Sequence, residues 1–383
     1  KNYLVLVPEQ FTMQTQKDLC MAHPRGGIMN IDVLSFGRLA HRVFEETGKE
    51  RQPILDDEGK NLVLRKIAGN YEDELTVLKG NLKKQGYISE VKSVISEFTQ
   101  YGIVFEQLDS FMEGLNPESY LYYKLKDIRK VYEGFEDYLR DKYITKEELL
   151  DVLSQTVPEA KMLKDSVIAM DGFTGFTPVQ NRLIGELLKV CDKIMLTVEM
   201  DRREDPFVYK HPYQLFALSK QMVTSLTEVA QEVKVEIDEP VWLCKNPPYR
   251  FKENPEMAFL EEELFRYSRR KYSGEKMQSI SLHEVHTPQE EAQYVAEEIR
   301  RLVREEGYRY REIAVIASDL NTYADLLEKA CERYEIPVFM DHKKSILLNS
   351  FVEYLRSLLV MVEQNYTYES VFRYLRTGLC GFT

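Results

Sequence analysis

The chain has 383 residues, 44% of them apolar, and a formal net charge of −12. That is enough for two or three domains with real cores, no apolar run is long enough to suggest a membrane span, and so acidic a chain does not coat nucleic acid with its whole surface, although a local basic groove is still open to it. Five scattered cysteines, Cys20, Cys191, Cys244, Cys331 and Cys380, give neither a disulfide framework nor a zinc spacing, and they suit a reducing cytosol.

The opening KNYLVLVPEQ has the character of neither a signal nor a transit peptide. Tyr3–Val7 reads as a strand buried on both faces. An initial edge strand would not be apolar throughout, so a first strand and helix of the same domain are expected before Lys1. Pro8, Glu9 and Gln10 end the strand, and Phe11–Leu19 continues as a helix. Ile31–Leu34 is the next strand. It runs into Ser35-Phe36-Gly37-Arg38 and a helix carrying Leu39, Arg42, Val43 and Phe44. At a strand end a hydroxyl such as Ser35 can meet a phosphate. A ring such as Phe36 can stack on a base or simply fill the core. Arg38 and Arg42 add positive charge.

From Asp56 to Val157 helical periodicity takes over. Leu121, Leu125, Ile128, Tyr132, Phe135 and Leu139 make one stripe. Leu62, Val63 and Ile67 make a second, and Val91, Val94, Ile95 and Phe98 a third. Tyr120, Tyr122 and Tyr123 offer rings for base stacking, but tyrosines at helical spacing more often belong to a core or an interface.

The strand pattern resumes at Val167–Met170. Asp171-Gly172 is a turn dipeptide. Thr177 then reads as an N-cap, Pro178 as the first helical residue and Gln180 as the capping-box partner. An acid ending a buried strand lies where open α/β sheets bind ligands. In nucleotide-hydrolysing folds it holds magnesium, and a Glu that orients water normally follows it. Here Gly172 follows, and no G-x-x-x-x-G-K-[ST] occurs in the sequence. Lys193–Val198 is another buried strand, followed by Glu199 and Asp201, which would repel a γ-phosphate, and by the balancing Arg202 and Arg203. A helix within Tyr213–Ala230, a strand at Val233–Ile237, a connection at Pro240–Pro248 and a short helix within Pro255–Arg269 follow. Arg269, Arg270 and Lys271 have the composition of a hinge.

Ile280–Val285 starts a second α/β unit. Thr287-Pro288-Gln289-Glu290 caps a helix that buries Ala292, Val295, Ala296, Ile299, Leu302 and Val303 and stops at Gly307. Ile313–Ala317 and Ile336–Phe339 read as strands around a helix at Tyr323–Tyr334. Ser350–Leu359 and Tyr368–Leu375 form an apolar-faced helical pair. His283 and His286 lack the further ligands that a zinc site needs.

These stretches, in this order, resemble AddB (RexB), the B subunit of bacterial helicase–nuclease complexes. LVPEQFTMQTQ resembles that family's helicase motif Ia. VLSFGRLAHRVFEETG resembles a motif whose turn contacts single-stranded DNA, and VIAMDGFTGFTPVQ resembles a degenerate Walker B. The later run EEAxxVAxxI…IAVI…IPxF resembles the start of helicase domain 2A. Helicase relatives carry an Arg just after that IAVI strand, where this chain has Ser318.

The resemblance implies an α/β fold of RecA-like parallel sheets with a large helical insertion. Residues 1–50 and 159–272 would form domain 1A, 51–158 insertion 1B, 273–345 the start of 2A and 346–383 the start of insertion 2B. It implies a DNA path at Pro8, Glu9, Gln10, Thr12, Ser35, Phe36 and Arg38, and a degenerate Walker B at Asp171, Gly172 and Gln180. It implies no catalytic residue, metal ligand or cofactor in this stretch. ATP, magnesium and a 4Fe-4S cluster would belong elsewhere in the subunit or complex. The implied role is double-strand-break processing with Chi recognition, beside a motor–nuclease partner of the AddA type, in the cytoplasm. Two alternatives stand beside it: a protein-interaction scaffold without DNA contact, and an active helicase, which Gly172 and Ser318 oppose.

Overall fold

The structure, a computed structural model, describes residues 1–48, 53–82, 84–140, 142–243, 248–266, 269–274, 277–341 and 345–381. Cys244, Lys245, Asn246 and Pro247, within the expected connection, therefore lie outside the described residues. The chain is α/β and divides into two compact units, Lys1–Arg269 and Arg270–Thr383.

In chain order the first unit contains β1 (Tyr3–Leu6), α1 (Thr12–Ala22), β2 (Ile31–Leu34), α2 (Phe36–Thr47), β3 (Ile54–Leu55), α3 (Asp57–Asn70), α4 (Gln85–Tyr101), α5 (Phe105–Glu113), α6 (Tyr120–Leu139), β4 (Ile144–Thr145), α7 (Leu149–Thr156), β5 (Val167–Met170), α8 (Pro178–Val190), β6 (Lys193–Leu196), α9 (Ala217–Glu232) and α10 (Pro255–Glu263). Four strands form one parallel sheet in the order β2-β1-β5-β6. Val5 pairs with Val33 on one side and Ala169 on the other, so the strand that opens the chain is central, as its apolar run requires. More than a hundred intervening residues do not prevent β1 and β5 from being neighbours.

The sheet's core joins Leu4, Leu6, Ile168 and Met170 to Leu39, Val43, Leu183 and Leu187 from the helices. A second core lies within the helical block, where Leu64, Ile67, Ile95, Ile128, Val131 and Phe135 are buried together. The expected stripes hold in their inner positions; Leu62 and Leu121 face solvent. Helical periodicity runs from Asp56 to Val157, but its last helix belongs to the other core. Leu149, Leu153 and Val157 pack into the sheet's core, against α2 and α8. Periodicity reports that a face is apolar, not which core receives it. The two cores meet at β3 and β4, a parallel pair of two-residue strands. Ile54 and Ile144 pack toward the sheet, and Leu55 and Tyr143 toward the helices.

The expected strand at Val233–Ile237 is absent. Val233 closes α9, Lys234 takes φ +58, and the N–H of Val235 donates to Ala230 O at 2.9 Å, so the chain turns out of the helix end and does not extend. The helix expected within Pro255–Arg269 stops at Glu263, and Phe265 has φ +58.

The second unit contains α11 (Pro288–Glu305), α12 (Leu320–Arg333), α13 (Ser350–Glu363) and α14 (Tyr368–Leu375). Thr287 caps α11 as its sequence requires. Ala292, Ala296 and Ile299 pack with Leu327, Cys331 and Ile336. Ile280–Val285, Ile313–Ala317 and Ile336–Phe339 are not strands. A strand is defined by a lateral hydrogen-bond ladder, and apolar composition supplies none; among the described residues these segments have no ladder partner. Leu282, Ile316 and Phe339 are accordingly exposed. No described helix is long and apolar enough to cross a membrane.

Candidate nucleic-acid interface

The site follows from the topology. From β1 the chain crosses through α1 to β2 on one side. From β5 it crosses through α8 to β6 on the other. The strand order therefore reverses between β1 and β5, the place where open α/β sheets bind ligands at the carboxyl ends of their strands. All four strands end level, because Leu6 pairs with both Leu34 and Met170, and Met170 with Leu196. Pairing runs one residue further: Val7 N donates to Leu34 O at 3.0 Å, Asp171 N to Leu6 O at 3.0 Å and Thr197 N to Met170 O at 2.9 Å. The turns after β1, β2, β5 and β6 thus open onto one edge.

The turn after β1 is a single 3-10 turn, Glu9–Phe11, closed by a 2.9 Å bond from Phe11 N to Pro8 O. Glu9 and Gln10 are exposed and Pro8 is half-buried. Thr12 is buried, and its hydroxyl donates to Glu9 O at 3.0 Å. In the turn after β2, Ser35 is buried and caps α2, its Oγ accepting from Arg38 N at 3.3 Å. Phe36 is 8% exposed. Its ring packs against Phe173 and Phe176, with centroids 5.5 and 6.2 Å away. Of the two roles open to this ring in the sequence, the structure gives it the core role, because the turn after β5 lays two more rings on it. Thr12 and Ser35 likewise use their hydroxyls to fix their own turns. Arg38 is exposed, while Arg42 is paired with Asp32 at 3.2 Å.

Asp171 is exposed, and its Oδ1 accepts the hydroxyl of Thr197 from the end of β6. Gly172 takes φ +76, and a Cβ there would stand 3.6 Å from Pro8 Cδ and 3.8 Å from Phe11 Cδ2. Gln180 is committed to the helix start: its Oε1 accepts from Thr177 N at 2.9 Å, and its N–H donates to Thr177 Oγ1 at 3.3 Å. ATP-bound magnesium takes one or two carboxylates plus phosphate oxygens. Asp171 supplies one carboxylate, already engaged, followed by a residue without a side chain. Alone they offer one carboxylate and no second acid, and the sequence holds no G-x-x-x-x-G-K-[ST] to cradle phosphates. Asp201 is also withdrawn from such a role. It is buried, with Arg203 at 3.1 Å and Arg266 in contact. Burial pushes its carboxyl upward, but the hydrogen bonds from Arg203 and the charge of Arg266 prevail and hold it below the ordinary range.

Sequence reasoning misses two residues at this edge. Thr197 is the polar residue one step past β6. Phe11, 46% exposed, reads from sequence only as the start of a helix. In the second unit, His283 has both ring nitrogens in hydrogen bonds, to Ser281 Oγ and Tyr294 OH, each at 2.9 Å. No metal-holding group of three or more His, Cys, Asp or Glu occurs among the described residues.

Comparison with known proteins bears on the whole chain. The family described as "ADDB, N-terminal" matches residues 1–261, and the UvrD-like helicase C-terminal domain matches residues 252–375. The B subunit of the ATP-dependent helicase/deoxyribonuclease of Lachnoclostridium phytofermentans is 41% identical over 385 aligned residues, covering 100% of this chain and 33% of that protein. The protein of the same name from Clostridium perfringens strain SM101 is 34% identical, with coverages of 98% and 32%. That of Thermoanaerobacter pseudethanolicus is 35% identical, with the same coverages. The chain spans about a third of the length of these curated relatives.

Proposed function

The chain belongs to the AddB N-terminal family, and on that premise we propose that it is the helicase-like, catalytically degenerate DNA-binding part of a B subunit that processes double-strand breaks for recombinational repair. The observation that carries this reading is the level carboxyl edge of the β2-β1-β5-β6 sheet, where the turns at Pro8–Thr12 and Ser35–Arg38 open side by side and the first of them flanks the topological switch point between β1 and β5. A single strand crossing there meets Gln10, exposed backbone and the guanidinium of Arg38. Glu9 disfavours phosphate on the β1 side, so phosphates belong on the β2 side.

The degeneracy rests on Gly172 and the engaged Asp171, and on Ser318 where helicases place an arginine. The relatives are named as subunits, which implies a partner, and we assign that partner to the motor–nuclease class of the AddA type. Cleavage, the 4Fe-4S cluster, and ATP with magnesium are assigned to other parts of the subunit or complex, recognition of Chi to the helicase-like region, and the setting to the cytoplasm. In the domain scheme of this family, the sheet of the first unit corresponds to 1A, the helical block to 1B, and the second unit to the start of 2A and of 2B.

The test is a salt titration of oligonucleotide affinity for the assembled complex. Arg38→Ala is expected to flatten the slope of log affinity against log salt by about 0.7, the value of one lost single-strand phosphate contact. An unchanged slope and affinity would leave the scaffold reading, which the net charge of −12 favours, as the better one.

A further inference from the structure

We propose that Arg182 of α8 is a salt-sensitive clasp that holds the helical block, α3 to α6, against the sheet, and that the block turns about the β3–β4 joint when the clasp is released. This device works whether or not DNA crosses the carboxyl edge of the sheet.

Connectivity is the first argument. The block has a core of its own, and the chain enters and leaves it side by side. Ile54 pairs with Ile144 and Leu55 with Thr145, so both crossings lie in one pair of two-residue strands. Two adjacent crossings leave an axis about which a packed block can turn. Away from that joint, among the described residues, the extended contact between the block and the sheet's helices is α4 against α8. The buried residues of α4, Ile88, Val91 and Ile95, belong to the helical core, and those of α8, Leu183, Ile184 and Leu187, to the sheet's core. No shared buried core therefore holds these two helices together.

The second argument is what Arg182 does at that contact. α4 ends in the left-handed Gly102, with φ +67, and closes by bonds from Gly102 N to Thr99 O at 3.1 Å and from Ile103 N to Phe98 O at 2.8 Å. The guanidinium of Arg182 lies against this end: a Cβ on Gly102 would stand 3.5 Å from Nη1 and 3.6 Å from Nη2. A side chain larger than a methyl there would crowd the guanidinium, besides straining the backbone. The same guanidinium donates from Nη2 to Asp151 Oδ1 on α7 at 2.7 Å. One cation thus serves two negative centres, the Asp151 carboxylate on the sheet side and the carboxyl end of the α4 dipole on the block side. Strength is the third argument. The Arg182 side chain is 56% exposed and that of Asp151 36%, so both attractions are weak and screened by salt. A weak hold opposite a two-stranded joint is a reversible one.

The test uses the full 383-residue chain with spin labels on non-natural residues at Ser93 of α4 and Gln231 of α9, both exposed. Because α9 packs on α8, the distance between the labels reports the block against the sheet. Wild type at low salt is expected to give one narrow distance. Arg182→Ala is expected to raise the population at longer distance by roughly two- to thirtyfold, the range that an exposed ion pair and a charge at a helix end together allow. Arg182→Lys, which keeps the charge without the planar fork, should fall between the two. Salt at about 1 M, where charges are screened within a few ångströms, should open wild type in the same way and add little to R182A. Identical distances for wild type and R182A at both salt concentrations would overturn the inference, and so would a salt response undiminished in R182A. Should R182A fail to fold, wild type and R182K across the salt series still decide, because no response in either removes the clasp.

Discussion

Lys60 of α3 and Glu147, just ahead of α7, are 87 positions apart, yet the Lys60 Nζ donates to both carboxylate oxygens of Glu147 at 2.9 and 2.7 Å. The lysine side chain is 2% exposed and the glutamate 20%. The pair sits beside the β3–β4 strands where the helical block joins the sheet. Removing one partner strands the other charge away from water, which costs more than the pair itself contributes. K60M is therefore expected to lower unfolding free energy by about 3 kcal/mol, the low end for a buried pair because Glu147 keeps some water. The double variant K60M/E147M should recover most of that loss. Urea titration of the three proteins measures both, and a double variant no better than K60M would contradict this account.

Among the described residues a second buried carboxylate has no ionic partner. Asp127 on α6 is 2% exposed. Its carboxylate accepts from the backbone N–H groups of Thr76 at 3.0 Å, Val77 at 2.7 Å and Leu78 at 2.9 Å. It thereby fixes the turn that carries Leu75 and Leu78 into the helical core. D127A should cost about 3 kcal/mol, since several charge-assisted bonds are lost and three donors are left in a tight turn. D127N, which keeps a carbonyl acceptor, should cost less. Hydrogen exchange of the Val77 and Leu78 amides should quicken in D127A before exchange in β1 does. Equal quickening in both places would mean that the turn is not a separate unit.

What the sequence shows of this molecule follows the range of each interaction. The Val167–Gln180 stretch was legible because strand, turn, cap and capping box are all local chemistry. Each residue's role there depends on neighbours within four positions, and Thr177, Pro178 and Gln180 occupy the expected places. The β3–β4 pair was invisible, because two residues carry no period and their partners lie about ninety positions apart. Ile313–Ala317 shows the opposite failure. Its composition is that of a strand, but its state is decided by a lateral partner that composition does not encode. At the site the strand ends were legible and the side-chain roles were not. Phe36 and Phe11 are the same residue type at two strand ends. Which of them is buried depends on Phe173 and Phe176, more than 130 positions away.

Acid–base behaviour gives a third prediction. Burial, then the neighbouring charge of Glu148, raise the pKa of Glu136 from an ordinary 4.5 to about 7, with Arg140 opposing and Asp137 adding slightly. A raised carboxyl pKa means that the folded state holds the proton more tightly than the unfolded one. Stability from this group is thus full below pH ~4.5, declines as pH rises, and is lost above pH ~7. Because Glu136 is only partly buried, the effect is on the order of 1–2 kcal/mol after solvent screening. E136Q mimics the protonated form, so it should match wild type near pH 4.5 and exceed it by that amount at pH 8. Denaturation at the two pH values checks the sign; a gain from E136Q that is larger at low pH would reverse it.

The last prediction separates backbone strain from chemistry at Gly172. Its φ of +76 is in the left-handed region, yet a Cβ there meets Pro8 and Phe11 only at ordinary contact distances of 3.6 and 3.8 Å. G172A should therefore lose stability for conformational reasons alone, by about 1–2 kcal/mol, without expelling Phe11. G172E restores the acid that hydrolysing relatives carry at this position. It should incur the same backbone cost and yield no ATP turnover by the chain alone, because Asp171 is held by Thr197 and the sequence contains no phosphate-cradling G-x-x-x-x-G-K-[ST]. A coupled assay with magnesium and single-stranded DNA tests wild type and G172E together. Turnover by either protein at about one per second, within the ordinary enzyme range, would refute the degenerate reading. A G172A variant as stable as wild type would show that the turn relaxes to a conformation open to any residue.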